Sequence, residues 1–112
     1  MDFYAFPPSP NDRKVRFVLK HLGIPFQDHI VDLASGAQKK PEYLKVNPFG
    51  RIPAIVDGDF RLSESHAIMQ YLADKKPGSF FPADPRARID VTRWQFWSTG
   101  QWGPACGAIT FE

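Results

Sequence analysis

The chain has 112 residues, of which 43% are hydrophobic and 23% are charged, and it carries a formal net charge of +2 at pH 7. This length accommodates one compact domain and part of another, and the composition is neither that of a disordered protein nor that of a fibrous one. Basic and acidic residues are interspersed, so no basic stripe indicates a nucleic-acid partner. A single cysteine, Cys106, excludes an internal disulfide and a cysteine-rich metal site.

The N-terminal segment lacks the basic and then apolar pattern of a secretory signal peptide. No apolar run approaches the length that spans a membrane. These features predict a soluble, cytoplasmic protein without a metal ion and without a membrane partner.

The first elements in chain order are predicted to form a βαβ unit. Residues 3–6 are typical of a short buried strand, which two prolines end. A serine and a proline then favour a helix start, and apolar residues recur at helical spacing over residues 10–22 until Gly23 ends the helix. Residues 26–31 form a second strand, which a helical crossover makes parallel to the first.

The following elements complete a sheet. After a polar loop, residues 41–46 suit a short helix, and residues 52–56 form a strand. Asp57-Gly58 is a strong hairpin turn into the strand at residues 59–62, and a third helix follows from about Glu64. The order β-α-β-α-β-β-α predicts an α/β fold, with a four-stranded mixed sheet and helices on both faces.

The composition changes from Arg86 onward. Residues 1–80 are predicted to form the first domain, residues 81–85 a linker, and residues 86–112 a helical segment that the Gly103-Pro104 pair kinks or ends. Large aromatic residues crowd into this last segment at Trp94, Phe96, Trp97 and Trp102.

Four motifs occur in order along the chain: SPNDRKV at residues 9–15, NPFGRIPAIVDG at 47–58, LSESHAI at 62–68 and DPRAR at 84–88. In this combination the chain resembles a cytosolic glutathione transferase of the serine-using kind, close to the theta, phi and delta classes. The resemblance implies a thioredoxin-like, glutathione-binding domain, followed by a truncated all-α segment that begins the helical second domain. It also implies glutathione as co-substrate, a homodimer and a role in detoxification.

The chemistry of such an enzyme requires the thiolate form of glutathione. A free thiol has a pKa of ~8.5 and is therefore mostly protonated at neutral pH, so the enzyme has to favour the thiolate. A hydroxyl that donates a hydrogen bond to sulfur at a helix N-terminus favours the thiolate. Ser9 lies between the first strand and the first helix and is the catalytic candidate, and Asn11 is its competitor. The alternative for Ser9 is a plain helix cap.

The resemblance also implies residues that bind glutathione. Pro53 is expected to follow a cis peptide bond, and the N–H and C=O of Ile52 to pair with the cysteinyl backbone, although a proline also simply begins an edge strand. Glu64 and Ser65 suit the γ-glutamyl amine and carboxylate. The alternative is that Ser63 caps the helix while Glu64 complements its dipole.

Two further positions are assigned through the resemblance alone. Gln38 and Lys39 align with residues that hold the glycyl carboxylate, whereas a solvated surface loop is the plain alternative. His66 stands where the family usually has arginine, which weakens any charge network built on that arginine. Cys106 is interpreted as a buried or idle thiol.

The leading functional hypothesis is a glutathione transferase that acts on a small hydrophobic electrophile. Because the helical domain that walls the electrophile pocket is mostly missing, the alternative is a non-catalytic module for glutathione binding or dimerisation. The aromatic residues of the last segment predict a dimer, unless they fold back onto Leu72 and its neighbours.

Overall fold

The computed structural model describes residues 1–110. Its strands are β1 (Asp2–Ala5), β2 (Gln27–Ile30), β3 (Ala54–Asp57) and β4 (Phe60–Ser63). Its α-helices are α1 (Pro10–His21), α2 (Pro41–Leu44), α3 (Ser65–Asp74), α4 (Pro85–Trp97) and α5 (Gly103–Thr110). A 3₁₀ turn at Ala37–Lys39 precedes α2. The chain divides into two compact units, Met1–Lys76 and Pro77–Glu112.

The first unit contains a four-stranded sheet with the strand order β2-β1-β3-β4. Strand β1 pairs in parallel with β2 and antiparallel with β3, and β3 pairs antiparallel with β4. Gly58 makes the β3–β4 turn at a φ of +64°, a conformation that favours glycine. The predicted order of elements and the mixed sheet are confirmed.

Alternating residues of the central strands face two separate apolar clusters. Phe3 and Ile55 have no exposed surface and belong to a cluster that α1 and α3 complete. Ala54 lies on the opposite face, where it packs in a second cluster with Val31 and Tyr43. Helix α2 contributes to that second cluster, so the sheet has helices on both faces, as predicted.

Helix α1 has the ends that its sequence predicts. Ser9 is the N-cap and Pro10 is the first helical residue. Gly23 follows the helix at a φ of +66°, and its N–H donates to the Lys20 carbonyl at 3.2 Å. This arrangement satisfies a carbonyl of the last turn, which explains why the helix ends there.

The strand boundaries differ from the predictions by one or two residues. The second strand is Gln27–Ile30 rather than residues 26–31, and the third is Ala54–Asp57 rather than residues 52–56. Pro53 has no N–H to donate to the ladder, which explains why the third strand begins only after it.

The second unit stays helical at Gly103-Pro104, where the sequence predicts that the helix kinks or ends. After α4, residues Ser98–Trp102 form a π-helical turn, and the N–H of Gly103 donates to the Ser98 carbonyl five residues earlier. Helix α5 then begins at Gly103, so Gly103-Pro104 does not end the helix, and the predicted alternative of a kink stays a prediction. Pro104 is the second residue of α5, and proline is tolerated in the first turn of an α-helix. No helix within residues 1–110 is both long enough and apolar enough to cross a membrane.

Candidate functional site

A pocket lies at one edge of the sheet in the first unit, where the N-termini of α1 and α3 meet the segment before β3. It is lined by Asn11, Asn47, Phe49, Arg51, Ile52, Pro53, Ser63, Glu64 and Ser65. It therefore brings together five residues that the sequence nominated: Asn11, Ile52, Pro53, Glu64 and Ser65.

Strand pairing explains why these distant segments meet. Tyr4, near the end of β1, pairs with Ala54, the first residue of β3. Ala54 in turn pairs with Ser63, the last residue of β4. The residues after β1, before β3 and after β4 therefore emerge at the same edge of the sheet.

The start of α1 presents two hydrogen-bonding side chains. The hydroxyl oxygen of Ser9 accepts a hydrogen bond from the N–H of Asn11 at 3.2 Å, as a helix cap does. Asn11 Oδ1 accepts from Lys14 Nζ at 3.3 Å. Asn11 lines the pocket, whereas Ser9 is not among the lining residues and lies two positions before it.

The segment before β3 contains the cis peptide bond between Ile52 and Pro53, as predicted. The carbonyl oxygen of Arg51, one residue earlier, accepts from Tyr43 Oη at 2.6 Å and from Asn47 Nδ2 at 2.9 Å. Burial raises the pKa of Tyr43 to about 12, so its hydroxyl is protonated at neutral pH and donates.

The start of α3 has an unusual backbone. Glu64 occupies the N-cap position with φ +75° and ψ 114°, and its side chain makes no capping hydrogen bond. Residues with a Cβ rarely adopt positive φ, and such residues cluster at binding sites. The alternative in which Ser63 caps this helix is wrong, because Glu64 holds that position. Ser65 is buried in the first turn, where backbone N–H groups have no intrahelical acceptor.

His66 follows in the same turn of α3. Burial lowers the pKa of His66, the positive charge of Lys14 lowers it further, and Glu64 acts in the opposite direction. The imidazole is therefore mainly neutral at pH 7, and it does not supply the permanent positive charge of an arginine.

The structure does not bring Gln38 and Lys39 into the lining of the pocket. Both belong to the 3₁₀ turn that packs against Gly50, whose neighbours in sequence line the pocket. A Cβ at Gly50 would lie 2.9 Å from Lys39 Nζ and 3.1 Å from the Gln38 carbonyl. Gln38 Oε1 is buried and has no hydrogen-bond partner among the described residues.

Sequence reasoning assigned no functional role to four lining residues: Asn47, Phe49, Arg51 and Ser63. All four lie within the motifs at residues 47–58 and 62–68, which also contain Ile52 and Glu64. Their place in these motifs is the sequence feature that could have identified them as site residues. Within residues 1–110, no group of three or more His, Cys, Asp or Glu side chains is arranged to hold a metal ion.

The family model "Glutathione S-transferase, N-terminal domain" matches residues 1–74. Glutathione S-transferase 3 of Zea mays is 49% identical over 75 residues, which cover 67% of this chain and 34% of the relative. Disulfide-bond oxidoreductase YfcG of Escherichia coli (strain K12) is 38% identical over 114 residues, which cover 96% of this chain and 52% of the relative.

A solved structure gives the same result. The glutathione transferase homologue from Drosophila mojavensis with bound glutathione superimposes with a TM-score of 0.86 at 37% identity, covering 88% of this chain and 46% of the other. These similarities confirm the predicted thioredoxin-like sheet followed by a helical segment. The chain spans between about a third and about half of the length of the curated relatives that it matches.

Proposed function

Because the chain belongs to the glutathione S-transferase family, whose N-terminal domain matches residues 1–74, we propose that it binds glutathione in this pocket and activates its thiol. One observation carries the proposal. A single pocket joins Asn11 at the start of α1, Ile52 before β3, and Glu64 with Ser65 at the start of α3. Asn11 suits the thiol of a tripeptide, Ile52 suits its peptide backbone, and Glu64 with Ser65 suits its charged γ-glutamyl end.

The γ-glutamyl end carries both a carboxylate and an amine. We assign the carboxylate to the backbone N–H and hydroxyl of Ser65, because a helix N-terminus favours negative charge. Glu64 has an exposed carboxylate that makes no capping bond, and we assign the amine to it. The helix N-terminus at Ser65 attracts the carboxylate and the negative Glu64 attracts the amine, so the two groups together orient the γ-glutamyl end.

The rest of the tripeptide extends along the segment before β3. Ile52 offers a backbone N–H and C=O to the cysteinyl residue, as an added strand would. The glycyl carboxylate is assigned to Gln38 and Lys39, beside Gly50, because Lys39 supplies a positive charge and the side-chain amide of Gln38 supplies an NH2 donor.

Thiol activation is assigned to the start of α1, where Ser9 and Asn11 both retain a proton to donate. The Ser9 oxygen accepts from the Asn11 N–H, so its own O–H is available. Asn11 Oδ1 accepts a hydrogen bond from Lys14 Nζ, so the Nδ2 group of Asn11 remains as the donor. Lowering a thiol pKa from ~8.5 by about two units raises the thiolate fraction at pH 7 from roughly 3% to roughly 75%.

The proposed reaction is a nucleophilic substitution or addition. The thiol loses its proton to solvent, the sulfur forms a bond to an electrophilic carbon, and any leaving group departs with its electron pair. The electrophile is a small hydrophobic molecule. We further propose a cytoplasmic homodimer, in which residues 1–80 bind glutathione and residues 86–112 begin the helical domain after a linker at residues 81–85.

Disulfide exchange is a second candidate, because the Escherichia coli relative named as a disulfide-bond oxidoreductase aligns with 96% of this chain. The glutathione thiolate would then attack a disulfide sulfur, form a mixed disulfide and expel the second sulfur as a thiolate. The same pocket and the same thiol activation serve both reactions.

Calorimetric titration of the chain with glutathione, followed by assays with an aryl chloride and with a small disulfide, tests these proposals. Saturable binding with conjugation supports the transferase, and saturable binding with only disulfide turnover supports the second candidate. Binding without either turnover supports the non-catalytic module. Absence of saturable binding at millimolar glutathione contradicts the proposed function.

A further inference from the structure

The carbonyl of Arg51 connects the pocket to the second apolar cluster. Its oxygen accepts from Tyr43 Oη at 2.6 Å and from Asn47 Nδ2 at 2.9 Å. A carbonyl oxygen has two lone pairs, so these donors fill its acceptor capacity. Both donors are buried, since Tyr43 is only 5% exposed and Asn47 only 4% exposed.

The same peptide group carries the N–H of Ile52. The bond between Arg51 and Ile52 is trans, and a trans peptide group is planar, with its N–H directed opposite to its C=O. Two donors that hold the carbonyl on one side therefore fix the direction of the N–H on the other. Ile52 is a lining residue of the pocket, so the orientation of this peptide determines what the pocket offers to a ligand backbone.

We propose that Tyr43 and Asn47 are positioning residues, which orient and polarise the Arg51–Ile52 peptide so that the Ile52 N–H donates to the backbone of a bound peptide. The inference rests on the proposed function, in which that peptide is glutathione. Hydrogen bonds accepted by a carbonyl strengthen the N–H of the same amide as a donor. The two side chains thus act through Ile52 and need not touch the ligand.

Asn47 is itself held in place by its own hydrogen bonds. Its Oδ1 accepts from the N–H of Phe49 at 3.2 Å, and its N–H donates to the Tyr43 carbonyl at 2.9 Å. Its carbonyl accepts from the N–H of Gly50 at 3.0 Å. Asn47 cannot rotate away from Arg51 without losing the Phe49 contact, which gives the Arg51 carbonyl a preorganised partner.

The test compares two variants with a matched control. Tyr43→Phe keeps the ring and removes one donor, and Asn47→Asp keeps the acceptor for Phe49 but removes the other donor. Each is expected to weaken glutathione binding, measured by calorimetry on the full chain, by about fivefold, the effect of one hydrogen bond. Tyr71→Phe is the control, because it removes a hydroxyl that donates to Asp57 and is expected to keep affinity within about twofold.

A spectroscopic measurement separates positioning from general destabilisation. With ¹⁵N-labelled protein, glutathione is expected to shift the Ile52 amide resonance in the wild type, and Tyr43→Phe is expected to shift that resonance before any ligand is added. The positioning role would be overturned if the wild type binds glutathione while Tyr43→Phe keeps the wild-type affinity and leaves the Ile52 amide resonance unmoved. That result would leave the proposed function intact. Failure of the wild type to bind glutathione would overturn both. Tyr43→Phe preserves the packing, so it decides the question even where Asn47→Asp does not fold.

Discussion

Arg16 holds the buried carboxylate of Asp12, one helical turn earlier on α1, through hydrogen bonds of 2.8 and 2.9 Å. The same guanidinium donates to Asp28 on β2 at 2.6 and 3.2 Å, and it lies 5.1 Å from the centre of the Phe3 ring. Hydrogen bonds to Asp12 and Asp28 raise the pKa of Arg16 above its usual range. This side chain therefore links helix α1 to the edge strand β2.

Substitution of Arg16 is expected to destabilise the first unit strongly. Arg16→Gln leaves Asp12, whose side chain has no exposed surface, as an unpaired buried charge, which costs about 3 kcal/mol in the free energy of unfolding. Urea denaturation measures the loss. Arg61→Gln, an exposed position on β4 of the same unit, is the control and is expected to change little. Equal losses in the two variants would contradict the structural role of Arg16.

The start of α1 is expected to control the pKa of bound glutathione. If the Ser9 hydroxyl stabilises the thiolate, Ser9→Ala leaves glutathione affinity nearly unchanged and raises the thiol pKa by about one to two units, which ultraviolet titration measures. The same variant loses a helix cap, so its unfolding free energy falls by about 1 kcal/mol.

Asn11→Ala is the paired experiment. A thiol pKa that rises in Asn11→Ala and stays unchanged in Ser9→Ala would assign thiol activation to Asn11 and leave Ser9 as a helix cap only.

Gly50 is expected to tolerate a side chain less well than Gly58, although both have a φ of +64°. Alanine at either position loses roughly 1 kcal/mol through the left-handed backbone. At Gly50 the added Cβ also meets Lys39 and the Gln38 carbonyl, whereas at Gly58 nothing lies within 4 Å. Urea denaturation should therefore give a larger loss for Gly50→Ala, and calorimetry should show weaker glutathione binding for this variant alone. A larger loss at Gly58 would refute the packing of residues 38–39 on Gly50.

His66 is expected to make stability depend on pH. Its pKa is lowered in the folded chain, chiefly by burial, so below about pH 6.5 the unfolded state binds a proton that the folded state excludes. The unfolding free energy should therefore fall as the pH decreases from 7.5 to 5, and His66→Gln should flatten this slope. The same substitution at the exposed His21 of α1 is the control. A wild-type slope retained in His66→Gln would contradict this assignment.

The chain is expected not to be a stable monomer. Trp94, Phe96 and Trp102 are 54%, 74% and 55% exposed, and apolar surface of this extent is unusual on a soluble monomer. Light scattering at micromolar concentration should give a mass above the 12.7 kDa of one chain. Phe96→Ser should lower that mass, whereas Phe17→Ser, at a comparably exposed residue of α1, should not. A clean wild-type monomer with little binding of a hydrophobic dye would disprove the dimer.

Several features of the fold follow from interactions within a few residues, and the sequence predicted them well. Ser9 with Pro10 starts α1, Gly23 ends it and Asp57-Gly58 turns the hairpin, because caps and turns depend on the local backbone. The same local reasoning did not foresee that the helix changes to a π turn before Gly103-Pro104 and then resumes rather than ending there.

The pocket itself depends on contacts between residues far apart in the chain. Register between β1, β3 and β4 brings Asn11, Ile52 and Glu64 to one edge of the sheet, and no local pattern specifies that register. The sequence nominated these three residues through motif resemblance, but it assigned no role to Tyr43 and Asn47. Only the folded backbone decides that both donate to the Arg51 carbonyl, because a buried carbonyl takes whichever donors the packing places beside it.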